Sequence, residues 1–536
     1  MRLQQRATEL RFSSDFVDSL PGEAAREPVE ARQVTGQCYA EVSPTPVSAP
    51  SLLVANVKLA EALGFSEARI RDEDFVQVLA GNALFESMRP YAMCYGGHQF
   101  GQWAGQLGDG RAINLAERDF AVAQDHGLTQ ATLQLKGAGP TPFSRFADGR
   151  AVLRSSLREY VCSEAMQALG VPTTRALSLV LTGDHVERDM FYDGRPAYEP
   201  GAIVCRVSPS FIRFGNFELP ASRGDLPLLT RWVEFTLSRY YPVQWQLYRV
   251  DPVEGLLSFL AEVQSRSLDL VVHWMRLGFV HAVLNTDNMS ILGETIDYGP
   301  FGWIDDFAPG WTPNTTDRQH RRYRFGQQPA VVHWNLFQLA NALFPLVREA
   351  EPLEAILAGF EPEYERRWLA MMRKKLGLTD EAASDLAFFN ELESLMSDLS
   401  LDMTLFYRLL TETPVAEMTR PSFMEACRAL SYRTTDSDQW DALQSWLGRY
   451  QPRRASGDPQ KSVASMSAAN PCIVPRNFIL QELVDKVGEG DVDSLNQALR
   501  AFERPYDNGD EQRPFKRMRP DWALDRPGCS SLSCSS

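Results

Sequence analysis

Long apolar runs are missing from this sequence, and the longest, such as Ala176 to Leu181, fall far short of the roughly 20 residues that cross a bilayer. No membrane span is expected. The opening MRLQQRATELRFSSDF lacks the apolar centre of a secretory leader, and Glu9 and Asp15 argue against an organelle transit peptide. A cytoplasmic protein is therefore expected. Positive charge is in deficit, with 54 Lys and Arg against 69 Asp and Glu for a formal net charge of −15. The field of the whole molecule repels nucleic acid and anionic lipid, so neither is an expected partner. The eight cysteines, at 38, 94, 162, 205, 427, 472, 529 and 534, form no CxxC pair, and no histidine stands at zinc-ligand spacing. That excludes the common structural zinc sites. Cys529 and Cys534 lie in a Ser-rich tail, where thiols are expected to be exposed and reactive. No internal repeat of 20 to 50 residues is present.

What the chain does have is length and an ordered change of pattern. Its 536 residues, 44% hydrophobic and 23% charged, suit a large soluble core of two lobes or one elaborated domain. SPTPVSAP over 43–50 reads as an extended arm, followed by a helical pattern through Leu52, Val54, Leu59 and Leu63. Between Gly96 and Gly139 glycine is dense, and RAINLAE and ATLQLKGAG read as strands of a hairpin whose turn meets a ligand. A helix is expected from about Arg150 to Leu169, closed by Gly170 and Pro172. ALSLVLTG and AIVCRVS read as strands, and beyond Asp225 the periodicity is mostly helical. The polar run from Arg453 to Ala469 reads as a surface loop or linker, NPCIVPRNFILQELVDKV opens another helix, and the segment from Asn508 reads as mobile.

Four signals follow one another in an order that nucleotide chemistry explains. Gly108-Asp109-Gly110-Arg111 is read as a tight hairpin turn, where glycines let backbone N–H groups approach phosphate oxygens and Arg111 adds a charged donor. Lys136 ends an apolar strand, and an inward ammonium there needs a counter-charge. Glu159, 23 residues on in the next helix, supplies one, as in the phosphate-gripping pair of protein kinases. His281-Ala-Val-Leu-Asn-Thr-Asp287-Asn288 lies over the kinase H-R-D-L-x-x-x-N pattern with His281, Leu284 and Asn288 in register, but Val283 stands where the catalytic aspartate belongs. Asp297-Tyr298-Gly299, nine residues after Asn288 and preceded by the strand-like MSILGETI, corresponds to the kinase D-F-G, whose aspartate holds Mg²⁺. Arg206 and Arg213 are spaced to clamp a phosphate chain by paired N–H donors. Each signal alone also has an ordinary reading as a turn or a surface charge.

The basic run Arg318 to Arg324, RQHRRYR, is either a solvated face or a surface that meets acidic substrate. Asn314-Thr-Thr is a glycosylation pattern that a cytoplasmic location leaves unused. His281 is read as a brace for its loop.

The stretches YGGHQFGQWAGQLGDGRA, LKGAGPTPFSRFADGRAVLRSSLREYVCSEAM, CRVSPSFIRFGNFE, HAVLNTDNMSILGETIDYGPFGWIDDF and NPCIVPRNFIL, with the terminal CSS, resemble the selenoprotein O family. That resemblance implies an α+β, protein-kinase-like two-lobed fold with an N-terminal arm and extra C-terminal helices. It implies an arm and flanking helix over 1–90, an N-lobe over 91–215, a helical C-lobe over 216–507 and a flexible tail over 508–536. The implied activity is transfer of AMP from ATP to protein Ser, Thr or Tyr hydroxyls with release of pyrophosphate, because ATP sits inverted relative to a kinase. Nucleotide contacts then fall on Gly108, Gly110, Arg111, Lys136, Asp148, Gly149, Arg206 and Arg213. Asp287 becomes the acid or base, Glu159 holds Lys136, and Asn288 with Asp297 holds Mg²⁺ or Mn²⁺. Members often carry cysteine or selenocysteine third from the end, where Cys534 stands. DYGPFGWIDDFAPGWTPNTTD contains no cysteine, which counts against a disulfide latch between tail and loop. Two alternatives are an ordinary kinase moving the γ-phosphate and a non-catalytic nucleotide-binding scaffold.

Overall fold

The computed structural model describes residues 2–3, 12–119, 130–191, 194–434 and 437–533. The architecture is mixed α+β, with strands concentrated in the first 208 residues and helices thereafter. An eight-stranded sheet runs in the order Gly22–Glu23, Tyr39–Glu41, Tyr91–Met93, Ala112–Asp119, Gln130–Lys136, Ala197–Ser208, Arg175–Arg188 and Ser51–Ala55. Its centre is antiparallel, with Gln134 opposite Arg206 and Lys136 opposite Ala112. Because strand side chains alternate, Gln134, Lys136 and Arg206 share one face. Leu133, Leu135, Ile113, Cys205 and Val207 occupy the other, in an apolar cluster with Phe75 and Leu79 from the helix Glu73–Leu79.

The helix Leu153–Ala168 packs on the sheet and sends Leu157 and Val161 into a second cluster with Trp274, Phe279, Trp303 and Phe478. This cluster joins the sheet to the helices Pro252–Leu277, Gln328–Val347 and Asn477–Gly488. A third cluster, around Trp368, Phe389, Trp446 and Tyr450, belongs to the later helices alone.

Several expected elements come out differently. Leu52 and Val54 lie on the strand Ser51–Ala55, and the helix begins only at Val57, where the Asn56 side chain accepts the Leu59 N–H at 3.0 Å. The apolar spacing changes from two to helical at that cap. The helix expected from Arg150 starts at Leu153 because Ala151 and Val152 are still tied to the sheet, Ala151 O accepting from Ala202 N at 3.0 Å. Met289–Ile296 forms no strand; it turns, with single bridges from Ser290 to Arg213 and from Thr295 to Thr173. Gly108–Arg111 is not the turn of a hairpin, since it connects the strand Gln102–Gln106, paired to Gly96–Gln99, with Ala112–Asp119 in the large sheet.

The polar run 453–469 is helical, within Ser437–Ser456 and Pro459–Ala469. Arg454 is buried and donates to Leu410 O at 2.8 Å, and the exposed Asp458 caps the second helix. The segment after Asn508 is packed up to Ser533, with Leu532 exchanging 2.8 Å backbone bonds with Pro313 and Thr315. Cys529 is buried, and burial pushes its thiol up to about 11, so it is not the exposed, reactive thiol expected; Cys534 lies outside the described residues. Asn314 is buried too, donating to Ala282 O at 3.0 Å. One helical stretch, Phe325–Val347, is long and apolar enough to cross a membrane, contrary to expectation. Half of it is buried against neighbours, among them Pro252–Leu277 and Gly215–Ser222. Its apolar character was hidden by uncharged polar residues such as Asn335 and Gln338, and Asn335 donates to Leu284 O at 2.9 Å.

Candidate active site

The polar face of the sheet and the segment around Asp287 enclose a cleft of 700 Å³. Gly108, Gly110, Arg111, Lys136, Asp148, Gly149 and Arg206 line one side, and Val283, Asp287, Asn288 and Asp297 the other. Glu159 and Arg213 stand behind this lining. The Lys136 ammonium donates to Glu159 Oε2 at 2.5 Å, and Arg206 Nη1 lies 3.3 Å from Glu159 Oε1. Burial lowers Lys136 from the usual lysine range, and Glu159 opposes that shift. Glu159 therefore serves two cations, Lys136 and Arg206, where sequence spacing predicts one.

Asp297 closes the row. Arg206 Nη1 donates to its Oδ1 at 2.5 Å and Arg213 Nη1 donates to its Oδ2. Burial would raise this carboxyl, but Arg213, Arg206 and Lys136 outweigh it and hold Asp297 well below the carboxylate range. Its backbone is left-handed, φ 58°, an unfavourable conformation for a residue with a Cβ. Arg213 is buried: it also donates to Asp287 O at 2.8 Å and Phe211 O at 3.3 Å and covers the Tyr95 ring at 4.6 Å, while its Nη2, 3.7 Å from Asp109, makes no hydrogen bond. Its position is that of an anchor for Asp297 and the Asp287 backbone.

In the loop that follows Val280, His281 donates from Nε2 to Ile296 O at 2.8 Å, bracing the residue before Asp297. Burial lowers the imidazole pKa and keeps it neutral. Asp287 Oδ2 accepts from Gln99 Nε2 at 3.2 Å, whereas its buried Oδ1 has no partner. Burial, opposed by the Gln99 bond, raises this carboxyl to about 7. The hairpin carrying Gln99 approaches so closely that a Cβ on Gly97 would lie 2.8 Å from Asp287 Oδ1. Asn288 donates to Val283 O at 2.8 Å, which leaves its amide oxygen free for a ligand.

At the rim, Asp148 receives two 2.8 Å bonds from Arg188, and Gly149, at φ 69°, sits against Gly139 where a Cβ would collide. Gln99, Arg188, Gln134, Asn285 and Tyr323 were not singled out in sequence. Tyr323 OH bonds Asn285 Oδ1 at 2.5 Å and accepts from Phe100 N at 2.9 Å. No local pattern marks these residues, because their partners lie up to 223 positions away.

The donor set suits a hard divalent cation. Among the described residues no three His, Cys, Asp or Glu gather as a metal set, so any ion here depends on few protein ligands. The free Asn288 amide oxygen and Asp297, beside the unpartnered Asp287 Oδ1, are oxygen donors of the kind Mg²⁺ and Mn²⁺ accept.

A family model described as protein adenylyltransferase SelO matches residues 27–503. The chain belongs to that family. It is 51% identical to a protein nucleotidyltransferase YdiU of Azoarcus sp. (strain BH72), over 98% of this chain and 99% of the relative. The YdiU of Xanthomonas campestris pv. campestris (strain 8004) is 51% identical over 99% of this chain and all of its own length. That of Aromatoleum aromaticum is 50% identical over 98% and 99%. The resemblance drawn from sequence is borne out, and the enzyme class is protein adenylyltransferase.

Asp287 makes a prediction independent of turnover. Its folded carboxyl, near 7 instead of 3.8, keeps a proton that the unfolded chain releases, so its contribution to stability is full below the ordinary value and is lost as pH rises to about 7. In ion-free protein, Asp287→Asn should therefore gain melting temperature over the parent between about pH 5 and pH 8. A difference that stays flat across that range refutes the assignment.

Proposed function

We propose that this chain transfers AMP from ATP to Ser, Thr or Tyr hydroxyls of proteins, on a kinase-like pair of lobes formed by the sheet and the helical half. The observation that carries the proposal is the cleft, in which the Lys136–Glu159–Arg206 row faces Asp287, Asn288 and Asp297 while Val283 occupies the usual base position. The Gly108–Arg111 loop and Lys136 bind the phosphate chain, and Arg206 adds guanidinium charge beside Asp297. Asp287, with an unpartnered oxygen and a carboxyl poised near neutrality, takes the proton of the acceptor hydroxyl. The hydroxyl oxygen bonds to the α-phosphorus, the bond from that phosphorus to the bridging oxygen breaks, and pyrophosphate leaves with the electron pair. Asn288 and Asp297 would hold Mg²⁺ or Mn²⁺, whose chemistry here would be neutralisation of charge on the phosphate oxygens. Arg213 orients Asp297, and the Asp148–Arg188 pair sets a charged rim for the nucleotide.

ATP labelled at the α or the γ position tests this reading: the α label should persist on acceptor protein and the γ label should not. Val283→Asp should leave that outcome unchanged, because orientation of the nucleotide, not the presence of a base, decides which phosphorus meets the hydroxyl. Strong γ transfer by Val283→Asp would show that ATP sits as in a kinase.

A further inference from the structure

A second cleft, of 490 Å³, is lined by the exposed residues Arg318, Arg321 and Arg433 together with the hydroxyl residues Thr315 and Ser531 and the apolar Trp311 and Pro313. In a chain of net charge −15 whose arginines are widely paired, these three guanidiniums take part in no ion pair or hydrogen bond among the described residues. The acids nearby are already engaged: Asp306 accepts from Arg519 at 3.2 Å, and Asp317 accepts the backbone N–H groups of Arg322 and Tyr323 at 2.9 and 2.7 Å. Three unpaired guanidiniums around an open, hydroxyl-bearing space form a receptor for carboxylates or other oxyanions.

The chain joins this cleft to the catalytic one at two points. Asn314, on its wall, donates to Ala282 O, next to Val283. From Arg321 the chain passes in two residues to Tyr323, whose hydroxyl bonds Asn285 in the active cleft, and Phe100, which accompanies it, is exposed at the lip. We propose that the arginine cleft docks an acidic segment of the acceptor protein and so presents a neighbouring hydroxyl to Asp287. This rests on the protein-acceptor reading above. An extended acidic segment fits better than a small anion, because the three exposed arginines are spread around an open cleft.

The test uses the full chain and the exposed triple variant Arg318→Ala/Arg321→Ala/Arg433→Ala. A fluorescein-labelled peptide with glutamates flanking one tyrosine is titrated by anisotropy, and a fluorescent ATP analogue is titrated in parallel. The parent should bind the peptide in a salt-sensitive manner, and the variant should bind it at least about tenfold more weakly, with unchanged affinity for the ATP analogue. In AMP transfer to the same peptide, the variant should raise KM and leave kcat in place. Equal peptide affinity in parent and variant overturns the proposal. So does arginine-dependent binding of inorganic phosphate at least as tight as that of the peptide, or tighter binding of a thymidine oligonucleotide than of the peptide. If the parent binds the peptide through these arginines but never transfers AMP, the adenylyl-transfer reading fails while the docking site stands.

Discussion

Replacing Asp297 with alanine should lower AMP transfer by on the order of a thousandfold or more. This carboxylate is the point where the two halves of the site meet, accepting from Arg206 and Arg213 while lining the cleft beside Lys136. Its removal takes away a proposed cation ligand and also releases the two guanidiniums that it aligns. The fold should suffer as well, since breaking a buried ion pair costs about 3–5 kcal/mol, here reduced because the Asp297 side chain is 24% exposed, Arg206 keeps Glu159 and Arg213 keeps its carbonyl partners. Single-turnover transfer from α-labelled ATP, measured well below the melting temperature of the variant, separates chemistry from unfolding. A folded Asp297→Ala protein that retains a tenth of the parent rate would remove Asp297 from the mechanism.

Arg206→Lys should lose about 10- to 100-fold in transfer although charge is conserved. The guanidinium reaches three acceptors at once, Asp297, Glu159 and Gln134, on a strand directly opposite Gln134. One ammonium has no planar fork with which to satisfy all three, so buried acceptors are left without donors. Arg206→Ala should be more severe. The same α-label assay with ATP titration checks both, and a lysine variant with parental kcat and KM would show that only net charge is required at this position.

How much of this was legible in advance follows from the range of each interaction. Lys136 with Glu159 could be paired from spacing because a strand followed directly by a helix packs the two together. The Val283 substitution, the Asp287–Asn288 pair and Asp297 could be placed by register against a local pattern. Arg213 was assigned with Arg206 to one phosphate clamp, but the structure puts it behind Asp297, because its neighbours Asp109 and Tyr95 come from a part of the chain more than 100 residues earlier. Gln99 escaped for the same reason, its bond to Asp287 spanning 188 positions. Two of the misread elements are polar segments whose partners are distant in the chain: the helix around Arg454, and the tail that Leu532 ties to Pro313 and Thr315.

The sequence by itself determined the family, the order of the nucleotide-binding signals and the alternation that sets Gln134, Lys136 and Arg206 on one strand face, since all of these are local in the chain. Only the tertiary structure decided that Glu159 serves two cations, that Asp287 is buried with one oxygen free, and that Arg318, Arg321 and Arg433 open together on one cleft. Charge balance and desolvation depend on which groups meet in space, and long-range packing brings those groups together.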